Sequence, residues 1–224
     1  MQTDMVPRLL SPRVMINDIL YIFLSHQGNI NLAYDRISLM MKQRSIQDYI
    51  FIVGGHEKTS YNASTKILSV SASDFYEGLP EKILYAYKHI SSNPLFSKYK
   101  HFIKLDDDMS LGEDIDFNSI KNVDYGGVVQ TYLKGDRDYH MGRCSEGSDW
   151  NNKSFEGEYV PWCLGGYGYI LSRRSIDFIE SINDSSYNEY ASYEDLYIAT
   201  LLAKNNIRPI SVDFKKFFIS PDHK

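Results

Sequence analysis

The chain is poor in cysteine, in clustered positive charge and in long apolar runs, and each shortage removes a class of protein. Only Cys144 and Cys163 occur in 224 residues. They form no paired CxxC arrangement, which argues against a zinc ribbon, and two cysteines cannot make a disulfide scaffold of a chain this size. Two reduced, partly buried thiols are the expectation; a single bridge between them is the alternative in an oxidising compartment. The formal net charge is -5, and Lys215-Lys216 is typical of the short basic pieces present. A groove that tracks phosphates would need many more cations on one face, so nucleic acid is not an expected partner. A small anionic ligand stays open, since a divalent cation can invert the charge of an acidic site. No apolar run approaches the ~20 residues of a membrane span, and Met1 to Met15 lacks a signal-type apolar core. The expectation is a soluble protein with no transmembrane segment in this chain, although a piece of a longer or anchored protein would read the same way.

What is present suits one domain with one sizeable core. Hydrophobic residues make up 43% of the chain, and 18 Tyr and 11 Phe supply rings for core and cleft walls alike. Ile19 to Leu24 is a continuous apolar run, predicted as a central strand and broken by Ser25-His26-Gln27-Gly28. Asn31 to Met41 has the apolar spacing of a helix. Tyr49 to Val53 reads as a second strand ending at Gly54-Gly55, and Ile67 to Val70 as a third. Glu81 to Ile90 reads as a helix begun near Pro80. His101 to Leu105 is a further strand that delivers Asp106-Asp107-Asp108 at its end. Alternating strands and helices imply an open, largely parallel α/β sheet, whose ligands bind beyond the carboxyl ends of the strands. Lys134 to Glu158 is polar and aperiodic, expected as a mobile excursion over one edge of the site. Ile176 to Ile182 and Glu194 to Leu202 read as helices, and Ile207 to Phe218 as closing strand or extended chain.

Three adjacent carboxylates after an apolar strand need water, a partner or a cation. In extended chain Asp106 and Asp108 share one side and Asp107 faces the other. Such oxygens suit Mg or Mn when phosphates and waters complete the shell, whereas a bare Asp triplet is more often a solvated turn. His223, near the C-terminus, reads either as an exposed tail residue or as an imidazole that completes a Mn site. Glu194 and Asp195 read as acidic residues at a helix N-terminus. Trp162 suits either core filling or a stacking surface, and Lys82 either an anionic partner or plain helix surface.

Taken in order, these segments resemble the beta-1,3-galactosyltransferase and N-acetylglucosaminyltransferase family with its Fringe relatives. The family's strand-end D-D-D looks like Asp106-Asp107-Asp108. Its Y-P-P-Y-C-x-G-x-G-Y-x-L-S segment is similar to Tyr159 to Ser172, with Val160 and Trp162 in place of a proline and a tyrosine and one extra residue after Cys163. Its E-D-V-Y-x-G resembles Glu194-Asp195-Leu196-Tyr197-Ile198-Ala199, where Ala199 departs from glycine. Its D-x-Y-x-N-L-T-x-K resembles Asp74 to Lys82, with Gly78 and Pro80 replacing the asparagine and threonine. The similarity runs from about Ile19 to Ala203. Short length and no anchor or stem suggest a viral or bacterial relative, acting in the cytoplasm (of the host, if viral).

The resemblance implies a GT-A type nucleotide-diphospho-sugar transferase fold: a single α/β domain with one mixed central sheet flanked by helices. Residues 16–133 would be the nucleotide-sugar half and 134–224 the acceptor-side, closing half. It implies an inverting glycosyltransferase that uses Mn2+ or Mg2+ and a UDP-sugar donor, with a hydroxyl of a glycan or glycoconjugate as acceptor. Asp108, Asp106 and His223 would hold the metal. Asp106, Asp107, Gly54, Lys82, Gly165, Gly166 and Tyr167 would line the donor site, Lys82 through a phosphate or a carboxylate partner, and Trp162 would stack on an acceptor sugar ring where it does not fill the core. Asp195 would be the general base, with Glu194 as its fallback or its positioning partner. Another sugar-nucleotide transferase on the same fold, or a carbohydrate-binding module without activity, are the competing classes.

Overall fold

The computed structural model describes residues 18–113, 115, 117–131 and 140–219. The chain runs β1 (Ile19–Leu24), α1 (Ile30–Gln43), β2 (Tyr49–Val53), β3 (Ser60–Asn62), β4 (Ile67–Ser69), α2 (Leu79–Ser92), β5 (His101–Asp106), β6 (Ser110–Leu111) and α3 (Phe117–Ile120). It continues through β7 (Tyr125–Gly127), β8 (Val129–Gln130), β9 (Trp162–Cys163), β10 (Tyr169–Ser172), α4 (Arg173–Ser181), α5 (Tyr187–Tyr190) and α6 (Glu194–Ala203). It closes with β11 (Ile210–Ser211), α7 (Phe214–Phe217) and β12 (Phe218–Ile219).

One eight-stranded sheet carries the molecule, in the order β11-β7-β10-β5-β1-β2-β4-β3. Its middle, β5-β1-β2-β4, is parallel. These strands are unbroken apolar runs because both of their faces are covered. Leu20, Ile22 and Leu24 of β1 face the core under α2, α4 and α6, while Ile19, Tyr21 and Phe23 face the side of α1. The expectation of a largely parallel sheet holds only for this first half. β10 runs antiparallel to both β5 and β7, and β3 antiparallel to β4, so the sheet is mixed. The segment Ile207 to Phe218, expected as strand or extended chain, holds the short strand β11 and reaches β12 after one turn of helix, α7.

Helix α6 explains much about the second half. Eight of its ten residues are buried, Glu194 and Asp195 among them. A helix covered on nearly every side belongs inside a protein, and its first turn therefore carries two carboxylates that are each only 5% exposed. Trp162 is fully buried and packs in the core under the sheet, so it fills the interior and offers no platform to a sugar. Among the described residues no helix is long and apolar enough to cross a membrane.

Candidate active site

The carboxyl ends of β1 and β5 open into a cleft of about 490 Å³. Backbone pairing sets its floor: Leu24 lies beside Asp106 in the β1–β5 ladder, and Asp107 N–H donates to Leu24 C=O at 3.1 Å. Past Asp106 the chain turns rather than staying extended, with Met109 N–H reaching back to Asp106 C=O at 3.3 Å. The alternation expected for an extended triplet is thereby lost, and all three aspartates face the cleft. Arg36 of α1 supports the turn from behind, donating to the carbonyls of Asp107, Asp108 and Met109. Asp107 Oδ2 accepts from Ser25 Oγ at 2.6 Å and from Asn29 Nδ2 at 2.7 Å.

A second carboxylate anchors the same wall. Asp74 accepts from the N–H groups of Gln27 (2.6 Å) and Gly54 (2.8 Å) and pairs with Lys82 Nζ at 2.6 Å. Burial works to raise its pKa, but the two N–H donors and the ammonium outweigh burial and hold it below the usual carboxylate range. Lys82 is 1% exposed and also donates to Ser25 C=O, so it is an internal cation of the cleft wall, not a surface lysine. Gly54 serves this anchor and does not line the cleft. A Cβ there would sit 2.8 Å from Ser73 C=O and 2.9 Å from Asp74 Oδ1, so the close approach is to protein, not to ligand.

The opposite wall comes from the turn before β10 and the start of α6. Asp195 is 5% exposed and lines the cleft. Its Oδ2 accepts from Gly165 N–H at 3.0 Å and its Oδ1 from Leu196 N–H at 2.8 Å, which satisfies an otherwise unpaired donor of the first helical turn. Glu194 Oε1 accepts from Tyr169 OH at 2.5 Å, and Oε2 lies 3.3 Å from Lys104 Nζ. Just upstream, buried Ala191 has φ 44°, a backbone conformation that favours glycine, held by the packing around it. Gly165 and Gly166 both line the cleft. Tyr167 does not; its ring lies under Lys215 Nζ at 4.7 Å.

Three residues of this cleft, Lys104, His140 and Arg143, carry chemistry that motif reading passed over, and a fourth, Tyr76, is the tyrosine of the Asp74 to Lys82 match, which assigns it no role. Lys104 sits inside β5 and bonds Asp106 Oδ1 at 2.7 Å; a lysine within an otherwise apolar strand was its signal in the sequence. Tyr76 donates to or accepts from His140 Nδ1 at 2.7 Å, and Arg143 lies beside it. Burial foremost, with Asp106 and Asp195 adding and Arg143 opposing, pushes the Tyr76 phenol up to about 12, so it stays protonated at neutral pH. His140 and Arg143 belong to the excursion of residues 134–158, of which 140–158 are described. That part is tied to the body by Tyr76 and by Glu77, whose carboxylate accepts from Ser145 N–H and Oγ. Local periodicity gave no hint of these contacts, which join residues more than sixty positions apart.

His223 lies outside the described residues. The described chain ends with Ile219 of β12 beside Ser110 of β6, two positions after Asp108. Both thiols are free, and burial pushes Cys163 up to about 12. Among the described residues no three His, Cys, Asp or Glu side chains converge as a metal cage.

No family model matches the chain, and no curated protein does. Solved structures with similarity to it include a proposed glucose-1-phosphate thymidylyltransferase from Bacillus anthracis in complex with a sucrose, 11% identical, TM-score 0.46, covering 89% of this chain and 88% of the other. A197 from STIV is 19% identical, TM-score 0.46, over 92% and 91%. A glycosyltransferase involved in glycosylation of the major capsid of PBCV-1 is 11% identical, TM-score 0.40, over 92% and 94%. Superpositions this loose carry no functional weight. The architecture itself is an α/β fold with a single mixed central sheet flanked by helices.

Proposed function

We propose that the chain is a metal-dependent inverting glycosyltransferase of GT-A type, moving a sugar from a UDP-sugar to a hydroxyl of a glycan or glycoconjugate. One observation carries the reading: a single cleft at the strand ends gathers Asp106, Asp107 and Asp108 on one wall and Asp195 on the other. Six carboxylates line this cleft against three side-chain cations, Lys82, Lys104 and Arg143. A donor diphosphate would meet an excess of negative charge there, and a divalent cation reverses that sign.

The donor set fits such a cation. Asp106 and Asp108 offer carboxylate oxygen at an open rim, and Mg or Mn held by one or two carboxylates plus phosphates and waters needs no three-residue cage. His223 is the proposed nitrogen ligand. β12 ends two positions in register from Asp108, and four further residues span at most about 14 Å of chain. When bound, the ion supplies charge neutralisation at the diphosphate leaving group.

The chain's own residues divide the remaining work. Asp107 and the Asp74–Lys82 pair keep the donor wall rigid. Asp195 takes the proton from the acceptor hydroxyl as that oxygen attacks the anomeric carbon, and the bond to the diphosphate breaks on the opposite face. Gly165 N–H and Leu196 N–H hold the Asp195 carboxylate in place at the cleft wall, where an acceptor hydroxyl would reach it. Glu194, with one oxygen on Tyr169 and the other on Lys104, acts through position. Arg143 is the exposed cation of the far rim, suited to the departing phosphate.

Calorimetry tests the reading. UDP should bind with Mn2+ present and weakly without it, and Asp108→Ala should remove the Mn dependence while leaving the melting temperature nearly unchanged. Tight UDP binding independent of any divalent ion would defeat the metal assignment. No binding of UDP, UDP-sugars or GDP- and dTDP-sugars in either condition would leave a non-catalytic module as the better reading.

A further inference from the structure

The proposed chemistry gives Lys104 no step, yet its placement is costly. It lies in the middle of β5, opposite Ile22 of β1 and Tyr169 of β10, with 2% of its side chain exposed. A buried ammonium persists only when its charge and donors are fully engaged. Lys104 Nζ meets Asp106 Oδ1 at 2.7 Å and Glu194 Oε2 at 3.3 Å, with the Tyr169 ring 5.7 Å away. Asp106 shares its strand face because the two residues are two apart. Glu194 arrives from α6, and its other oxygen closes a chain of hydroxyls, Tyr87 to Tyr169 at 2.9 Å and Tyr169 to Glu194 at 2.5 Å.

Gly165 seals this junction. A Cβ there would lie 3.1 Å from Glu194 Oε2 and 3.5 Å from Lys104 Nζ, and its N–H donates to Asp195. One ammonium thus touches a carboxylate of each wall, and the adjacent glycine ties the same point to the proposed base.

We infer that Lys104 is a positioning residue, a buried cation that holds Asp106 of the donor wall and Glu194 of the acceptor wall in one ion-paired frame. What the frame positions rests on the sugar-nucleotide reading; that it exists does not. A purely structural ion pair and a positioning frame respond differently to removal of both charges. Deleting one partner strands a buried charge, and deleting both relieves that cost. Stability therefore recovers in the double variant under either account. Only in the positioning account does ligand affinity stay low, because Asp106 has lost its anchor.

The experiment is a thermal-melt cycle on wild type, Lys104→Met, Glu194→Gln and the double variant, with calorimetry of UDP in saturating Mn2+ on wild type, Lys104→Met and the double. Lys104→Met should lower Tm by about 10 °C, the scale expected for breaking a buried pair in a chain this long. The double variant should regain most of that loss. The Kd for UDP should rise about tenfold or more in Lys104→Met, as for loss of a hydrogen-bond partner behind a ligating carboxylate, and should remain raised in the double variant. Wild-type affinity in the double variant would reduce Lys104 to a structural ion pair. Additive Tm changes in the cycle would remove the frame altogether. Failure of wild type to bind UDP is a failure of the sugar-nucleotide reading alone, and the coupling of the melts then decides the frame by itself.

Discussion

The two walls of the cleft are built on different principles. The donor wall is rooted in the parallel middle of the sheet: Asp107 is held by Ser25 and Asn29 after β1, the turn after Asp106 by Arg36 of α1, Asp74 by the N–H groups of Gln27 and Gly54 after β1 and β2, and Lys82 by Ser25 C=O and Asp74. Its charges are structural first, and a ligand would meet what they leave over. The far wall is an assembly of short pieces. Asp195 accepts from the N–H groups of Gly165 and Leu196, Ala191 sits in a glycine-like conformation, and His140 and Arg143 come from the excursion. Apart from Glu194, which is tied to buried Lys104 and Tyr169, charges on that wall can be altered with less harm to the fold. The lesson is that rigidity and proposed chemistry are divided between the walls, so that substitutions should separate into those that unfold and those that only inactivate.

The largest separation is expected at Asp195. Asp195→Asn should keep Mn2+ and UDP-sugar binding while lowering single-turnover transfer by roughly 10²–10⁴-fold, the range for a lost general base. Its melting temperature should fall by only a few degrees, because the amide oxygen still accepts one of the two N–H groups and only the other loses its acceptor. Near wild-type transfer would reject the role and return attention to Glu194.

Lys82→Met is the mirror experiment on the donor wall. It strands Asp74 against two backbone donors and should cost about 3–5 kcal/mol in urea unfolding, the cost of breaking a buried pair. Arg143→Ala on the far rim should stay within about 0.5 kcal/mol, as an exposed substitution does, yet weaken donor binding. Equal stability losses for the two would erase the contrast between the walls.

Acid titration sharpens the same contrast. Asp74 has a folded pKa depressed below its unfolded value, near about 3.9 for a free aspartate. Its contribution is therefore complete above that value and is lost as pH falls through the lower folded value. Unfolding free energy measured across this window should fall on acidification in wild type. In Asp74→Asn the slope should be shallower, with the stability already reduced at neutral pH. An unchanged slope would mean that the Asp74 network does not stabilise the folded state as an ion pair.

How much of this was legible beforehand follows from the same division. β1, β2 and β5 stood out because strands covered on both faces are written as apolar runs, and the aspartates at the end of β5 were visible as charge where burial stops. The helix carrying Glu194 and Asp195 was visible too. The antiparallel insertion of β10 between β5 and β7 was not, because strand order is decided by packing between distant segments and leaves no local period. Trp162 was ambiguous since an aromatic ring serves a core and a cleft equally well. His140 and Arg143, and the contact both make with Tyr76 of the Asp74 to Lys82 match, were not legible because their meeting depends on how the excursion crosses the cleft. Lys104 could have been found by asking what a lysine does in the middle of HFIKLD.

The smallest expected effect separates two neighbouring glycines. A Cβ on Gly165 would press on Glu194 Oε2 at 3.1 Å, Asp195 Cβ at 3.3 Å and Lys104 Nζ at 3.5 Å, so Gly165→Ala should cost about 1–3 kcal/mol by overpacking a junction with no slack. A Cβ on Gly166 meets nothing within 4 Å, and its φ is not among the positive ones. Gly166→Ala should therefore leave stability within about 0.5 kcal/mol of wild type. Gly166 nonetheless faces the cleft. If its bare backbone is where donor sugar and acceptor pass closest, one added methyl should raise the Kd or KM of one of them by about tenfold, equivalent to about 1.4 kcal/mol. Calorimetry with UDP alone and with the full UDP-sugar distinguishes the two parts of the donor: a penalty confined to the sugar puts Gly166 against the transferred ring, and one present with UDP alone puts it against the nucleotide. Unchanged affinity for donor and acceptor alike would remove Gly166 from the proposed ligand contacts of the far wall.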